Sequence, residues 1–243
     1  MMREIENKTI GEIVAEDYRA ASVFQKYGID FCCNGNRNLS EACAEKNIDP
    51  KELVCKIESI QQQAKSSLPD FQSWPPDLLV DYIEKKHHRY VEETIPVLKQ
   101  YLQKICDVHG DKHPELLKIA DLFNASAGEL AAHMKKEEFI LFPYIRKMAK
   151  GKESDEQRDP PHFGTVKNPI HMMMQEHDNE GECFREISRL SYGYTPPEDA
   201  CTTYRVTFAT LKEFEDDLHL HIHLENNILF PQAIEMEKQL AYE

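Results

Sequence analysis

The sequence lacks several features that would place it in other classes of protein. No run approaches the roughly 18 consecutive apolar residues of a membrane-spanning helix. The first residues, MMREIENKTI, have no apolar core of the kind found in a signal peptide. A cytoplasmic protein that does not enter a membrane is therefore expected. Strand-like alternation of apolar and polar residues is nearly absent as well, which favours an all-α fold.

A basic surface is also missing, because the chain has 29 Lys and Arg residues against 43 Asp and Glu residues, a formal net charge of −14. Proteins that bind nucleic acid normally present a basic surface, so the acidic excess argues against a nucleic-acid partner. The seven cysteines include no CxxC pair. An odd number of thiols in a reducing compartment argues against a disulfide framework.

What the sequence does contain is helical periodicity with clear boundaries. In the first part of the chain, Thr9 and Asn38 are each followed three residues later by Glu, a pattern typical of helix capping boxes. A further helix is predicted from about 50 to 64, because Asp49-Pro50 supplies an N-cap and a first-turn proline. The Ser- and Pro-rich stretch SSLPDFQSWPP then interrupts the helical pattern. The predicted organisation is a small helical N-terminal domain at 1–66, a linker at 67–76 and a larger domain at 77–243.

The larger domain contains four long amphipathic stretches, in which apolar residues recur every three or four positions. Their predicted limits are 77–106, 114–148, 169–191 and 198–240, and Ile140 and Met174 are among the residues expected to point inward. Polar, Pro- and Gly-containing segments separate the last three stretches. An up-down-up-down four-helix bundle is therefore the predicted fold.

Two segments of this bundle nearly repeat each other. They are HMKKEEFILFP, residues 133–143, and HIHLENNILFP, residues 221–231, and we call them the first and second repeat segments. In each, a Glu follows the His by four residues, which puts both side chains on one face of a helix. The shared Ile-Leu-Phe-Pro is expected to be structural, with an apolar trio that packs and a proline that bends or ends the helix.

The His and Glu of each repeat segment occupy inward positions. In the fourth stretch Leu218, His221, Glu225 and Ile228 follow one another at steps of three or four residues, and His133 and Glu137 are in phase with the core of the second. A buried ionised carboxylate is very costly unless a cation or metal accompanies it. These four residues are therefore predicted metal ligands, rather than members of a coincidental buried polar network.

The other two stretches each add an inward histidine. His177 is in phase with the core of the third stretch, whereas either His87 or His88 would be in phase with Val91 in the first, so periodicity leaves that choice open. His88 precedes His133 by 45 residues and His177 precedes His221 by 44. The bundle thus resembles two helical hairpins that repeat one pattern of ligands.

An inventory of four imidazoles and two carboxylates suits iron, manganese or zinc, and two carboxylates that can bridge favour two ions. With an added oxo or hydroxo bridge, about ten of the twelve positions of two octahedral ions are filled, which leaves about two for water or a small ligand. Among the neighbouring residues, Glu138 is expected to be solvated. Glu180, one turn beyond His177, is a candidate partner for a ligand.

With these residues in view, the chain resembles the RIC proteins (repair of iron centres, the YtfE/ScdA family), a branch of the hemerythrin-like di-iron bundles. The resemblance covers almost the whole chain, and it implies a non-haem di-iron centre with four His and two bridging Glu ligands. Within HHRYVEETIP it selects His88, eight residues before Pro96, as the ligand. The segments that carry it are YGIDFCCNG (27–35), HHRYVEETIP (87–96), EHD (176–178), PPEDACTTY (196–204) and the two repeat segments. The implied ligands are His88, His133, Glu137, His177, His221 and Glu225.

The same resemblance implies a short N-terminal domain with vicinal cysteines, here Cys32 and Cys33. Two adjacent thiols can bind metal, receive NO or exchange thiols, or they can be incidental thiols at a packed corner. In a repair function they are candidates for the transfer of iron. The other five cysteines are expected to be small buried residues.

The implied function is the repair of iron–sulfur clusters damaged by nitric oxide or oxidative stress, by donation of iron, with damaged iron–sulfur proteins as partners. One alternative is a di-iron oxidoreductase that reduces NO or peroxide, and another is a protein that binds O2 or NO. A homodimer that exchanges N-terminal domains is compatible with the linker.

Overall fold

The computed structural model describes residue 5 and residues 8–62, 69–151 and 161–241. The regular elements in these ranges are helices. An isolated β-bridge joins Thr9 and Asn38. The all-α prediction is confirmed, with a small helical N-terminal region ahead of four long helical stretches. The chain divides into two compact units, residues 1–79 with 222–243 and residues 80–221.

The N-terminal part of the first unit is built on the two predicted capping boxes, which are both present. The Thr9 and Asn38 side chains accept hydrogen bonds from the N–H groups of Glu12 and Glu41, and each Glu carboxylate accepts the N–H of its cap residue in return. These bonds satisfy N–H groups that the first turn of a helix leaves without intrahelical partners. The helices are α1 (Ile10–Glu16), α2 (Ala20–Lys26), α3 (Leu39–Lys46) and α4 (Pro50–Gln62).

The predicted helix at 50–64 does begin at Pro50, and its last two residues lie outside the described ranges. The predicted domain limit at 66 and the start of the linker at 67 also lie outside them. The described part of the linker contains a 3-10 turn at Phe71–Ser73, where Phe71 is buried with its ring 4.9 Å from that of Trp74. The domain boundaries themselves stay a prediction.

The four long stretches span 76–109, 115–150, 167–190 and 202–241, within four residues of every predicted limit. Three of them contain a π turn, a segment wound with one extra residue per turn. In the second unit Phe214 packs between Phe123 and Phe184, with ring centroids 5.5 and 5.7 Å away. The elements in order are α5 (Pro76–Tyr82), π1 (Ile83–His88), α6 (Arg89–His109), α7 (Glu115–Lys136), π2 (Glu137–Leu141), α8 (Phe142–Lys150), α9 (Lys167–Leu190), α10 (Thr202–Leu224), π3 (Glu225–Leu229) and α11 (Phe230–Ala241).

The structure narrows one sequence prediction about the repeat segments and corrects another. Pro143 and Pro231 each follow a π turn by two residues, and the helix continues beyond both instead of ending there. Proline lacks an N–H and its ring collides with the carbonyl four residues earlier, so the wider π turn accommodates it. The prediction that Ile140 points inward was wrong, since Ile140 is 38% exposed while Leu141 is buried. Ile228, at the same place in π3, is only 4% exposed, so the difference comes from what surrounds each segment and not from the turn itself.

In α9 the inward methionine is Met173, and Met174, which the periodicity had assigned to the core, is 36% exposed. Steps of three and four residues connect Ile170 to His177 through either methionine, so spacing could not separate them. None of the helices in the described ranges combines the length and apolar character that crossing a bilayer requires.

None of the seven cysteines, which all lie in the described ranges, forms a disulfide. Cys43 and Cys106 are buried as predicted, and Cys183 is half-buried. Cys55 and Cys201 are exposed, so the prediction was wrong for these two. Cys55 lies on the outward side of α4, and Cys201 directly precedes α10.

Candidate metal centre

The second unit brings five of the six predicted ligands into two overlapping groups. The ligand atoms of His88, Glu137 and His221 lie within 4.8 Å of one another, and so do those of His133, Glu137 and His177. All five side chains are buried. Glu137 is common to both groups, which places one carboxylate between two sets of imidazoles.

The distances in these groups match those between ligands on a shared ion. His88 Nε2 and His133 Nε2 each lie 3.4 Å from Glu137 Oε2, and His177 Nε2 lies 3.0 Å from His133 Nε2. Two donors bound about 2.1 Å from one ion are about 3.0 Å apart at a right angle and about 3.4 Å apart at the tetrahedral angle. The nitrogen and oxygen donors present therefore fit a non-haem metal site.

An outer layer of carboxylates orients two of these imidazoles. His88 Nδ1 donates to Glu138 Oε1 at 3.0 Å, and His133 Nδ1 donates to Glu176 Oε2 at 2.8 Å. With its proton held at Nδ1, a neutral imidazole has its lone pair at Nε2, the atom directed at the centre. The prediction that Glu138 is solvated was wrong, because its side chain is only 14% exposed and bonds a ligand histidine.

Lysines complete this outer layer. Lys135 donates to Glu138 at 2.7 Å, and Lys136 donates to Glu176. Burial by itself would raise the pKa of each carboxyl group, but the hydrogen bonds from the lysines and histidines outweigh it, so both pKa values are lowered. Both groups are therefore carboxylates at neutral pH. Sequence reasoning missed Glu176, although it directly precedes His177.

The adjacent histidines of the first stretch make different contacts. His87 Nδ1 donates to Asp217 Oδ2 at 3.0 Å, and its ring stacks on that of His221 with centroids 5.6 Å apart. His88 instead directs Nε2 at Glu137. Both rings are buried, which explains why periodicity could not choose between them.

Glu180, the candidate partner for a ligand, is a buried carboxyl group on α9. Its Oε2 accepts a hydrogen bond from the Ser126 hydroxyl at 2.6 Å. Burial raises the pKa of Glu180 to about 7, so this group is partly protonated at neutral pH.

Glu225, the sixth predicted ligand, belongs to the first unit. It is fully buried and follows His221 by four residues along a continuous helix. It is the first residue of π3, as Glu137 is the first residue of π2. The two repeat segments therefore share local backbone structure as well as sequence.

The predicted vicinal thiols lie in the loop between α2 and α3. Cys32 is buried and Cys33 is half-buried, and their Sγ atoms are 3.7 Å apart. A hydrogen bond with Cys33, burial and the negative charge of Asp30 raise the pKa of Cys32 well above its ordinary value.

Comparison with known families gives the class of this protein. Residues 80–233 match the hemerythrin HHE cation binding domain, and residues 6–61 match ScdA_N, a domain of unknown function. The fold and the buried His and Glu groups agree with that class.

Two curated relatives refine the assignment. The chain is 35% identical over 231 residues to the iron–sulfur cluster repair protein YtfE of Yersinia pseudotuberculosis, which covers 95% of this chain and 98% of the relative. It is 31% identical over 221 residues to the iron–sulfur cluster repair protein ScdA of Staphylococcus haemolyticus, which covers 91% and 95% of the two chains. The chain belongs to the ScdA/YtfE family of hemerythrin-like proteins.

Proposed function

We propose that this protein repairs iron–sulfur clusters damaged by nitric oxide or oxidative stress in the cytoplasm, and that it does so by donating iron from a di-iron centre. The observation that supports this most directly is the position of Glu137, one buried carboxylate shared by two groups of imidazole ligands. The printed names of the curated relatives, which describe iron–sulfur cluster repair, support the same function.

In this proposal Glu137 and Glu225 are the two bridging carboxylates. The equivalent places of these residues, at the start of π2 and π3 and four residues after a histidine, support a shared role. His88 is preferred to His87 because its Nε2 is directed at Glu137. The complete ligand set is His88, His133, Glu137, His177, His221 and Glu225.

The ligand set also favours release of iron. When bound, the two irons would supply a store of ferrous ion that a damaged cluster can accept. A site with four neutral imidazoles and two carboxylates carries less negative charge than the four-Glu, two-His sites of other di-iron bundles. It therefore stabilises highly charged, oxidised iron less well. Glu138 and Glu176 hold the protons of His88 and His133 at Nδ1, which keeps the Nε2 lone pairs available for iron to bind again.

The test is anaerobic transfer of iron to a damaged cluster. The protein is loaded with two Fe(II) per chain, mixed with an iron–sulfur enzyme whose cluster NO has damaged, and separated from it after reaction. Repair by donation predicts recovery of the acceptor's activity together with a stoichiometric loss of iron from this protein. A Glu137→Leu variant should restore little activity, whereas Glu93→Leu, on the exposed surface of α6, should match the wild type.

Two other outcomes would contradict iron donation. When the loaded protein is exposed to NO together with an added electron donor, catalytic formation of N2O over many turnovers, without loss of iron, would instead identify an NO-reducing oxidoreductase. Reversible binding of NO or O2 with neither iron transfer nor turnover would identify a ligand-binding protein.

A further inference from the structure

The first unit contains a second cluster of metal-binding side chains. One ligand atom each of Asp30, Cys32 and Cys33 lies within 4.8 Å of the other two. Cys32 Sγ is 3.7 Å from Cys33 Sγ and 3.4 Å from Asp30 Oδ1. Unlike the His and Glu centre, this cluster provides sulfur donors.

These separations match a tetrahedral ion. With bonds of about 2.3 Å to sulfur and about 2.0 Å to oxygen, tetrahedral coordination puts two sulfurs about 3.8 Å apart and a sulfur and an oxygen about 3.5 Å apart. The observed distances of 3.7 and 3.4 Å are close to both values. The side chains therefore already have the spacing that a small thiophilic cation requires.

The loop that carries the thiols is fixed from both sides. Asp30 Oδ1 accepts the backbone N–H groups of Cys32 and Cys33 at 3.1 and 3.0 Å. The Cys32 carbonyl accepts a hydrogen bond from the buried Asn226 side chain at 3.2 Å, and Asn227 donates to the same carbonyl at 3.4 Å. Ligands held in this way lose little conformational freedom when an ion binds.

Burial differs between the two thiols in a way that suits entry of an ion. Cys32 is 3% exposed, whereas Cys33 is half-buried at the surface of the loop. An ion can therefore reach Cys33 first and is then partly shielded from water beside Cys32.

We propose that this loop binds one thiophilic divalent cation, such as Zn²⁺ or Fe²⁺, in tetrahedral coordination. Cys32 Sγ, Cys33 Sγ and Asp30 Oδ1 are the donors from this chain, and water or a thiolate of another protein takes the fourth position. Each bound thiol releases its proton to solvent, so one cation displaces two protons. The inference does not depend on the proposed repair function, because it concerns different residues and a different class of donor.

The test is titration of the reduced, metal-free protein with Co²⁺ under anaerobic conditions. Thiolate ligation gives a near-ultraviolet charge-transfer band that His and Glu ligands cannot produce, so Co²⁺ taken up by the buried centre does not contribute to it. Once enough Co²⁺ has been added to fill both sites, we expect the band to reach the intensity of one thiolate-bound Co²⁺ per chain, excess Zn²⁺ to bleach it, and the Cys32→Ser/Cys33→Ser double variant to lose it. Cys201→Ser removes an exposed thiol and should leave the band unchanged.

Two single variants keep the test informative if the double variant folds poorly. Cys33→Ser changes a half-buried residue and should leave about half of the band, because one of two thiolates remains. Asp30→Asn retains an oxygen that can accept the loop N–H groups but removes the charge, so affinity should fall at least about tenfold. A band that is absent from the wild type, that survives in the double variant, or that Cys201→Ser removes would overturn the site. Wild-type affinity in Asp30→Asn would overturn the assignment of Asp30 as a donor.

Discussion

The two repeat segments have the same local backbone structure, but the residues that follow the Glu in each make different contacts. In each, a buried Glu begins a π turn, yet the following residue is Glu138 in one and Asn226 in the other. Glu138 bonds the imidazole of His88, whereas Asn226 bonds the Cys32 carbonyl in the N-terminal region. One more residue along, Phe139 is 73% exposed.

Asn227, the counterpart of Phe139, is half-buried and makes several hydrogen bonds instead. It donates to the carbonyls of Phe31 and Cys32, and it also lies 3.1 Å from His223 Nδ1. The His and Glu positions of the two repeat segments therefore share the same local structure, while the residues just after each Glu make different contacts. The first repeat segment supports an imidazole, and the second anchors the thiol loop.

The largest expected effect comes from replacing the buried Glu that both repeat segments contain. Glu137→Leu and Glu225→Leu should each reduce bound iron from about two ions per chain to below one, because each removes a proposed bridge. Metal-free stability should stay level or rise by about 1–4 kcal/mol, since an apolar side chain replaces a buried charge. Iron analysis and thermal unfolding with and without Fe(II) measure both effects. Two irons per chain in either variant would show that its Glu is not a required ligand.

The choice of histidine in the first stretch gives the next largest effect. His88→Gln should weaken iron binding by about 100-fold or more, because it removes a ligand imidazole and the hydrogen bond by which Glu138 orients it. His87→Gln should retain two irons, since His87 bonds Asp217 and stacks on His221. Competition for Fe(II) with a chelator measures the difference. The reverse result would make His87 the ligand.

The equivalent isoleucines of the two π turns should differ in their contribution to stability. Ile228 is 4% exposed and Ile140 is 38% exposed. Ile228→Ala should therefore cost about 2–4 kcal/mol of unfolding free energy, whereas Ile140→Ala should cost less than about 1 kcal/mol. Denaturant unfolding of the metal-free protein measures both. Equal costs would mean that the two segments are buried alike, contrary to the comparison.

Glu138 should affect iron without being a ligand. Glu138→Gln weakens the acceptor for His88 Nδ1–H, and we expect iron affinity to fall about 10- to 100-fold. Glu92→Gln is a matched control, because Glu92 also accepts from Lys135, at 3.1 Å, but is exposed. Chelator competition should find wild-type affinity in the control. A fall of the same size there would assign the effect to Lys135 rather than to His88.

The last comparison concerns Gly11, which lies beside Asn227, with Gly128 as its control. A Cβ built on Gly11 would lie 2.2 Å from Asn227 Oδ1, whereas a Cβ on Gly128 has no such neighbour within 4 Å. Gly11→Ala should cost about 1–3 kcal/mol through overpacking. Gly128→Ala, in an exposed position of α7, should instead stabilise by about 0.5–1 kcal/mol. Melting temperatures that change in the same direction would contradict this contact.

Much of this architecture could be predicted from local signals. The capping boxes at Thr9 and Asn38 are encoded within four residues each, and the limits of the long helices follow from periodicity and from Pro- and Gly-containing breaks. Five of the predicted ligands do lie together. They could be predicted because a His and a Glu one turn apart stand out in an otherwise apolar stripe.

The remaining features depend on information that periodicity does not contain. Ile140 and Ile228 hold the same place in two equivalent π turns, yet Ile228 is buried and Ile140 is exposed, so a repeated local pattern assigned Ile140 to the wrong side. The partners of Glu138 and Asn226 are 50 and 194 residues away in sequence, so no local pattern could show them.

The composition of the first unit has a consequence for biosynthesis. Its helices α1 to α4 are made first, but Asn226 and Asn227, which hold the Cys32 carbonyl, are translated much later. At about 5–20 residues per second, the interval is on the order of ten seconds or longer. During that time the nascent chain presents Cys32 and Cys33 without their asparagine anchors. A newly made thiol loop therefore passes through a period in which oxidation or stray metal can reach it before the fold closes around it.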